Sequence, residues 1–519
     1  MPFSSARSRT IGVAFTSVLT ALTQAGIETS SRPGLTPIQL VCVDDRATGC
    51  GTFQSHNQKV VSNRRGIFMT HIRSRNEAYT AQCWRLSWST DGGERFRTLH
   101  TETNATNPPL LETDAADNLY LVRPDFVDGH AYLYRFLARE EYRRPHITRI
   151  PNGSAGKFAM VLDQSRRQLA YFAHNNTFHL VGLDGVVRSS VQLLAPGKNA
   201  ILQYPLLCLG ADGTLHAAWT TQAHDRYLYW DIHYLQSPDG GRSWRRMDST
   251  LLTTPIVADE GGPADRITLD DEFEVHTWLS SFLVKDGKAH FLYLAQTNPP
   301  RQHYIRHDLA TARRELDRQP ELKGERLSLR NLDGFFAART SAPGSTLYCV
   351  SRDGSQPRLA CLASDDNGAT WYDYAVSEPV SVPYSIGGCR EISVDGWILG
   401  SFTDQLASTS DAGGGSKVYF FKIRAGLASA RVKVTSKRER EWTIEFADVH
   451  GQPTEVRFRH DKRRWGKWLA FAAEMTLPTK RAPSEFQLRS RLGTESAVFP
   501  CALREGGERQ GKQSSRRQP

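Results

Sequence analysis

Apolar residues in this chain come in short runs, and no long stretch keeps them on one helical face. Runs at residues 67–73, 119–125, 169–174, 215–222, 290–298, 347–353 and 397–404 each follow a second apolar run and a turn. Runs of that length read as buried or half-buried strands. Asp212-Gly213, Asp286-Gly287 and Asp395-Gly396 join such pairs, where a tight hairpin needs residues that tolerate positive φ. The ends of the runs recur about every 50 residues, the spacing of a propeller blade. The interval before the fifth is longer and leaves room for an insertion around residues 253–273. The expected fold is all-β: a β-propeller over residues 41–427 with seven blades, six being the alternative count. Past Leu427 the strands shorten, near residues 442–446, 455–459 and 486–492. A small β-sandwich-like domain is expected at 428–503, with Trp442, Trp465 and Trp468 in its core. The polar tail 504–519 reads as disordered.

Composition changes this picture in three places. The net charge is +10, but from Arg431 onward there are 20 Lys+Arg against 11 Asp+Glu, leaving 45 against 44 before it. The basicity therefore belongs to the C-terminal region, where Lys462-Arg463-Arg464 is either a solvated face or a contact for acidic glycans. No nucleic-acid-binding module accompanies it, so nucleic acid is not an expected partner. Residues 1–40 begin with Arg7 and Arg9 and a mildly apolar stretch, the layout of a leader or signal peptide. Export to the periplasm or outside the cell is the expectation from that stretch, with no transmembrane segment in the mature chain. If the chain is exported, Cys42 with Cys50 and Cys349 with Cys361 are the candidate disulfides. No phosphate loop, HExxH or paired CxxC occurs. No cofactor is expected, and an assisting divalent metal is left open. Oligomeric state is not legible.

Three octets carry a family resemblance. They are Ser89-Thr90-Asp91-Gly92-Gly93-Glu94-Arg95-Phe96, Ser237-Pro238-Asp239-Gly240-Gly241-Arg242-Ser243-Trp244 and Ser364-Asp365-Asp366-Asn367-Gly368-Ala369-Thr370-Trp371. All fit Ser-x-Asp-x-Gly-x-x-(Trp/Phe). The Asp can close a turn on backbone N–H groups, the Gly permits positive φ, and the aromatic anchors the next strand. The chain resembles the sialidase-like Asp-box (BNR repeat) propeller superfamily over residues 42–427. That resemblance implies a propeller and a glycan ligand but no particular reaction. Sialidases carry a Phe/Tyr-Arg-Ile-Pro element ahead of the first box. Here Arg149-Ile150-Pro151 follows it and reads as an outer strand. The blade count is similar to that of seven-bladed polysaccharide lyases acting on uronates.

Propeller ligands bind where inner strands begin and second strands end. His56, His174, Tyr204, His276 and Tyr384 fall at such positions and are the candidate catalytic residues. His71, Arg73, Arg123, Arg339, Arg352, Arg390 and Glu391 are the candidate substrate contacts. Lys157, Gln222 and His224 share the expected rim. Uronate β-elimination needs a cation on the carboxylate, a His or Tyr base for the C5 proton, and a donor for the leaving oxygen. Each residue has a plain structural alternative. His71 also reads as a buried strand histidine, Tyr204 beside Pro205 as packing, and Arg339 and Arg390 as ties between blades. The favoured function is a lyase cleaving an acidic oligo- or polysaccharide. The alternatives are a sialidase-type hydrolase using Tyr384 with Glu391 or a nearby carboxylate, and a non-catalytic binding propeller.

Overall fold

A computed structural model describes residues 35–503 apart from 55–56, 77–80, 104–106, 174, 197–199, 224–227, 258–261, 273–274, 319–321, 406–414, 439–440 and 462–463. Among the described residues the only helical elements are two single 3₁₀ turns, and no helix is long and apolar enough to cross a membrane.

The strand order gives seven antiparallel four-stranded units, numbered here as blades 1–7 along the chain. Their inner strands are Val60–Asn63, Leu110–Thr113, Phe158–Asp163, Ala200–Leu209, Thr277–Lys285, Ser328–Ala337 and Pro383–Gly388. Each lies against the next, and the first packs against blade 7, so the units form a closed ring. Gln39–Ala47 supplies the outer strand of blade 7, pairing antiparallel with Ser416–Arg424. Strands from the two ends of the propeller thus share one sheet, which ties the ring shut. The second strands are Gly66–Ser74, Leu119–Asp125, Gln168–Ala173, Leu215–Ala223, Lys288–Ala295, Leu347–Asp353 and Trp397–Asp404. They fall on the apolar runs read from sequence because both faces of a second strand are buried between neighbouring blades.

The three octets close in the same way. Ser89, Ser237 and Ser364 each donate a hydroxyl bond to the Asp two residues on, at 2.8 Å. Backbone N–H groups of Arg95, Ser243 and Thr370 then donate to that Asp at 2.8–3.0 Å. The glycine at the fifth position has a second role. A Cβ at Gly93, Gly241 or Gly368 would fall within 2.5 Å of Phe420, Phe178 or Tyr304 respectively. Each of those aromatics lies on the third strand of the preceding blade, so the box is a joint between blades as well as a turn.

Residues 429–503 form two four-stranded sheets with their own core of Val434, Ile444, Val456, Phe486 and Leu488. Trp465 and Trp468 are not in that core. They lie outside it under Arg457, Arg459 and Arg489, at 4.0–5.0 Å from guanidinium to ring. An indole accepts a cation on its face, and this satisfies a tryptophan without burying it. The expected disulfides are also absent: all eight cysteines are free. Cys349 stands opposite Leu362 and Cys361 opposite Val350. An odd offset puts the two thiols on opposite faces of the sheet, in different cores.

Candidate functional site

Four consecutive inner strands are irregular. Register shifts fall between Gln203 and Leu206, Leu279 and Ser281, Leu329 and Gly334, and Tyr384 and Gly387. A bulge inserts a residue and re-aims its neighbours. Tyr204 (φ 45°) and Ser385 (φ 52°) lie in the left-handed region at two of these bulges, a conformation costing on the order of 1 kcal/mol for a non-glycine residue. The inner strands of blades 4 and 7 thus each carry one such residue beside a register shift.

The bulge in blade 4 completes one compact group at the mouth. Lys157, which leads into the inner strand of blade 3, donates to Gln203 Oε1 at 2.6 Å. Gln203 in turn donates to Gln222 Oε1 at 2.8 Å. The Lys157 ammonium lies 4.8 Å from the Tyr204 ring centre and 5.8 Å from that of Tyr229. Tyr204 contacts Trp278 edge-on at 5.6 Å, and Tyr229 lies 4.4 Å from Trp278. His276 stacks on Trp278 at 5.8 Å. The Tyr229 backbone N–H donates to His276 Nδ1 at 3.2 Å. In the neutral ring that leaves the hydrogen on Nε2. Burial lowers the Lys157 pKa. Lys157, Tyr204, His276 and Trp278 are half-buried, whereas Gln203, Gln222 and Tyr229 are buried. The group thus has a fixed polar floor and accessible functional ends.

Beside it lie buried polar side chains bonded mainly to backbone groups of neighbouring blades. Asn57 Nδ2 donates to the Phe158 carbonyl, and the buried Lys59 ammonium donates to the carbonyls of Gln54 and Asn57. Asp333 accepts the Ser385 N–H at 2.6 Å. Thr52 bonds Thr403 at 2.8 Å. Burial drives the Lys59 pKa down to about 7, opposed by Asp333. This network joins blades 1, 3, 6 and 7 near the axis.

The sequence-derived candidates divide sharply. Tyr204 and His276 come together through Tyr229 and Trp278. Tyr384 opens the inner strand of blade 7 at the same face. Arg352 ends the second strand of blade 6 there too. His56, His174 and His224 lie outside the described residues.

His71 and Arg73 do not face the mouth. His71 Nε2 bonds buried Asp44 at 3.2 Å, and Arg73 and Arg85 reach the same carboxylate at 2.9 and 3.4 Å. Burial raises the Asp44 pKa, but the bond and charge of His71 and the charge of Arg73 outweigh it and hold it at about 2. Arg123 is buried, bonded to Tyr134 at 3.3 Å and Asp125 at 3.1 Å. Arg339, Arg390 and Glu391 follow the ends of inner strands, so they lie at the opposite face from Tyr384. Arg390 pairs there with Glu112 at 2.8 Å. Burial drives the Glu112 pKa up to about 7, and Arg390 opposes it. Glu391 bonds Thr340, so the Tyr384–Glu391 nucleophile pair expected of a sialidase-type hydrolase is not assembled. Adjacent places in the sequence misled here: six residues of extended strand span about 20 Å.

Tyr229 and Trp278 were missed. Tyr229 begins a third strand, and the loop joining second to third strands borders the same mouth as the inner-strand starts. Attention to third-strand starts would have found it. Among the described residues no cluster of three or more His, Cys, Asp or Glu side chains could hold a metal ion.

No family model matches the chain, and no curated protein matches it. Solved structures do. An ulvan lyase of polysaccharide lyase family PL25, bound to a GlcA(1-4)Rha3S unit, aligns over 73% of this chain and 95% of its own, at 10% identity and a TM-score of 0.52. A further structure of a PL25 ulvan lyase aligns over the same shares, at 10% identity and 0.51. At that identity the likeness is one of fold.

Proposed function

We propose that this chain is a carbohydrate-active enzyme that cleaves an acidic glycan by β-elimination at a uronate, in the mouth between blades 3 and 5. The observation that carries the reading is the group of half-buried Lys157, Tyr204, His276 and Trp278 packed on buried Tyr229. It supplies each part the chemistry needs. Half-buried Trp278, backed by Tyr229, offers an apolar platform for a sugar ring. Lys157, held by Gln203, places a cation where a uronate carboxylate can bind, which offsets the charge that builds on C5 deprotonation. Tyr204, as phenolate beside that ammonium, takes the C5 proton. The C4–O bond then breaks, a C4=C5 double bond forms, and the leaving oxygen takes up the proton now on Tyr204, which restores the base, while the His276 Nε2–H donates a hydrogen bond to the substrate. Atoms and charge balance without water or an external oxidant. The fold shared with a lyase solved with a glucuronate-containing ligand supports the same reading by analogy.

The test is a panel of sulfated and unsulfated uronate polymers, followed by ultraviolet absorbance and by reducing ends. Lyase action raises both together. Reducing ends without absorbance mean hydrolysis, and retention of polymer with neither signal means a binding propeller. Either result overturns the proposal.

A further inference from the structure

Blade 1 carries a second polar feature on the same face as the mouth. A groove of about 390 Å³ is bounded by Arg46, Arg73, Arg75, Arg85, Glu102 and Thr103. It lies where the second strand Gly66–Ser74 ends, the third strand Gln82–Ser89 begins and the outer strand Arg97–Thr103 ends, against the closing strand Gln39–Ala47. Second-strand ends and third-strand starts border the mouth in every blade, so the groove opens on the same side.

Its charge is unbalanced. Four guanidiniums meet two carboxylates, and both carboxylates are already engaged. Asp44 forms part of the floor, 4% exposed, and is shared by His71, Arg73 and Arg85. Glu102 accepts from Tyr134 at 2.6 Å and bonds His100 at 3.1 Å. Among the described residues, the Arg46 and Arg75 side chains have no ion-pair partner, and the Arg85 Nε–H, though buried, has no acceptor. Asp44 holds Arg73 and Arg85, whose side chains stay partly exposed and line the groove. A preset fork of this kind suits planar or tetrahedral oxyanions.

We propose that this groove is a second anion subsite, taking the sulfate or carboxylate groups of an acidic polysaccharide strand that extends across the face from the mouth. The volume exceeds what one small anion fills, and the guanidiniums come from three different strand ends, a layout suited to successive groups along a polymer. The inference rests on the acidic-glycan reading of the mouth but not on turnover there.

The test uses the full chain and heparin as a sulfated uronate polymer, in affinity electrophoresis at two salt concentrations. R46A/R75A removes the two cations without carboxylate partners and leaves the Asp44 cluster intact. Its heparin affinity falls about tenfold, with a weaker salt dependence. The basic C-terminal region is the same in both proteins and cancels. If turnover exists, the double variant raises KM and leaves kcat within twofold. Equal retardation of the two proteins overturns the subsite. Inorganic sulfate raising the melting temperature of the unsubstituted chain alone, with heparin bound equally by both, also overturns it, as a small-anion pocket. Stronger retardation by duplex DNA than by heparin overturns the glycan assignment. Failure of the lyase reading has a different signature: no absorbance on any polymer, with the heparin difference between the two proteins intact.

Discussion

Two polar groups on this propeller share ingredients and differ in use. At the seam of blades 7 and 1, Asp44 gathers His71, Arg73 and Arg85. At the mouth, Lys157 gathers Gln203, Tyr204 and Tyr229 near His276. Both contain a histidine and a cation near a second-strand end or an inner-strand start. In the first, carboxylate and imidazole are both about 1% exposed and bond each other. In the second, the histidine, lysine and one tyrosine are half-buried beside an aromatic platform. Residue type and strand position are therefore not enough to make a site. What separates the two is burial: the Asp44 and His71 side chains are closed off from solvent, whereas Lys157, Tyr204 and His276 are half-buried. A buried ion pair holds blades together, and a half-buried group at the mouth can be reached by a ligand.

The sharpest way to break this contrast is to substitute one residue on each side. With a turned-over uronate polymer in hand, Tyr204→Phe lowers kcat/KM by about a thousandfold, on the order of 4 kcal/mol. His71→Asn leaves kcat within about twofold and lowers the melting temperature. The reverse pattern in an absorbance assay and a thermal melt would exchange the roles of the two groups.

Next in size is Asp44→Ala, which leaves two guanidiniums and a buried imidazole without their carboxylate. Urea unfolding at pH 7 registers a loss of about 3 kcal/mol. The sign with pH follows from the depressed pKa. A carboxyl held near 2 when folded, against an ordinary value near 3.9, stabilises fully above the latter and loses that contribution only as pH falls through the former. The deficit of the variant is therefore the same at pH 7 and pH 5. A deficit that shrinks over that interval would show that the carboxylate is not held by the seam.

Two further buried histidines, His216 and His290, are likewise held by internal partners. Burial lowers His216 to about 4, partly offset by Asp212, and lowers His290 to about 3, with Lys285 and Arg306 adding to the effect. Each is bonded to a tyrosine hydroxyl, Tyr234 at 2.7 Å and Tyr304 at 2.8 Å. Both stay neutral in the fold while the unfolded chain takes up protons below about 6.5, so stability falls as pH falls from there toward the folded pKa. Between pH 6.5 and 5 each contributes about 2 kcal/mol of that fall. His216→Gln should flatten the profile by its share, measured by urea titration at several pH values.

Much of the ring was legible because its signals are local. A second strand buried on both faces reads as an apolar run, and a Ser-x-Asp-x-Gly turn reads as a turn wherever it lies. The site was legible only in part. Tyr204 and His276 stood out because leading residues of inner strands must face the mouth. Arg390 and Glu391 were misplaced because a six-residue strand separates them from Tyr384, and nothing local marks its length. His71 was ambiguous in sequence because its partner Asp44 is supplied by the N-terminal closing strand, from another blade. Trp278 was missed as a platform because only the packing of Tyr229, from the neighbouring blade, shows which face it offers.

That platform yields the smallest and most selective expectation. Trp278 touches Tyr204, Tyr229 and His276, but its role in the proposed reaction is to hold the sugar ring, in ground state and transition state alike. An interaction of equal strength in both states changes KM and leaves kcat alone. Trp278→Phe keeps an aromatic face of smaller area, so KM rises about threefold to tenfold, on the order of 1 kcal/mol, with kcat within about twofold. Trp278→Ala removes the stacking partner of His276 as well, and there kcat falls too. If the phenylalanine variant lost kcat and kept KM, the indole would be placing the imidazole and not the sugar, and the mouth would resemble the seam more closely than its exposure suggests.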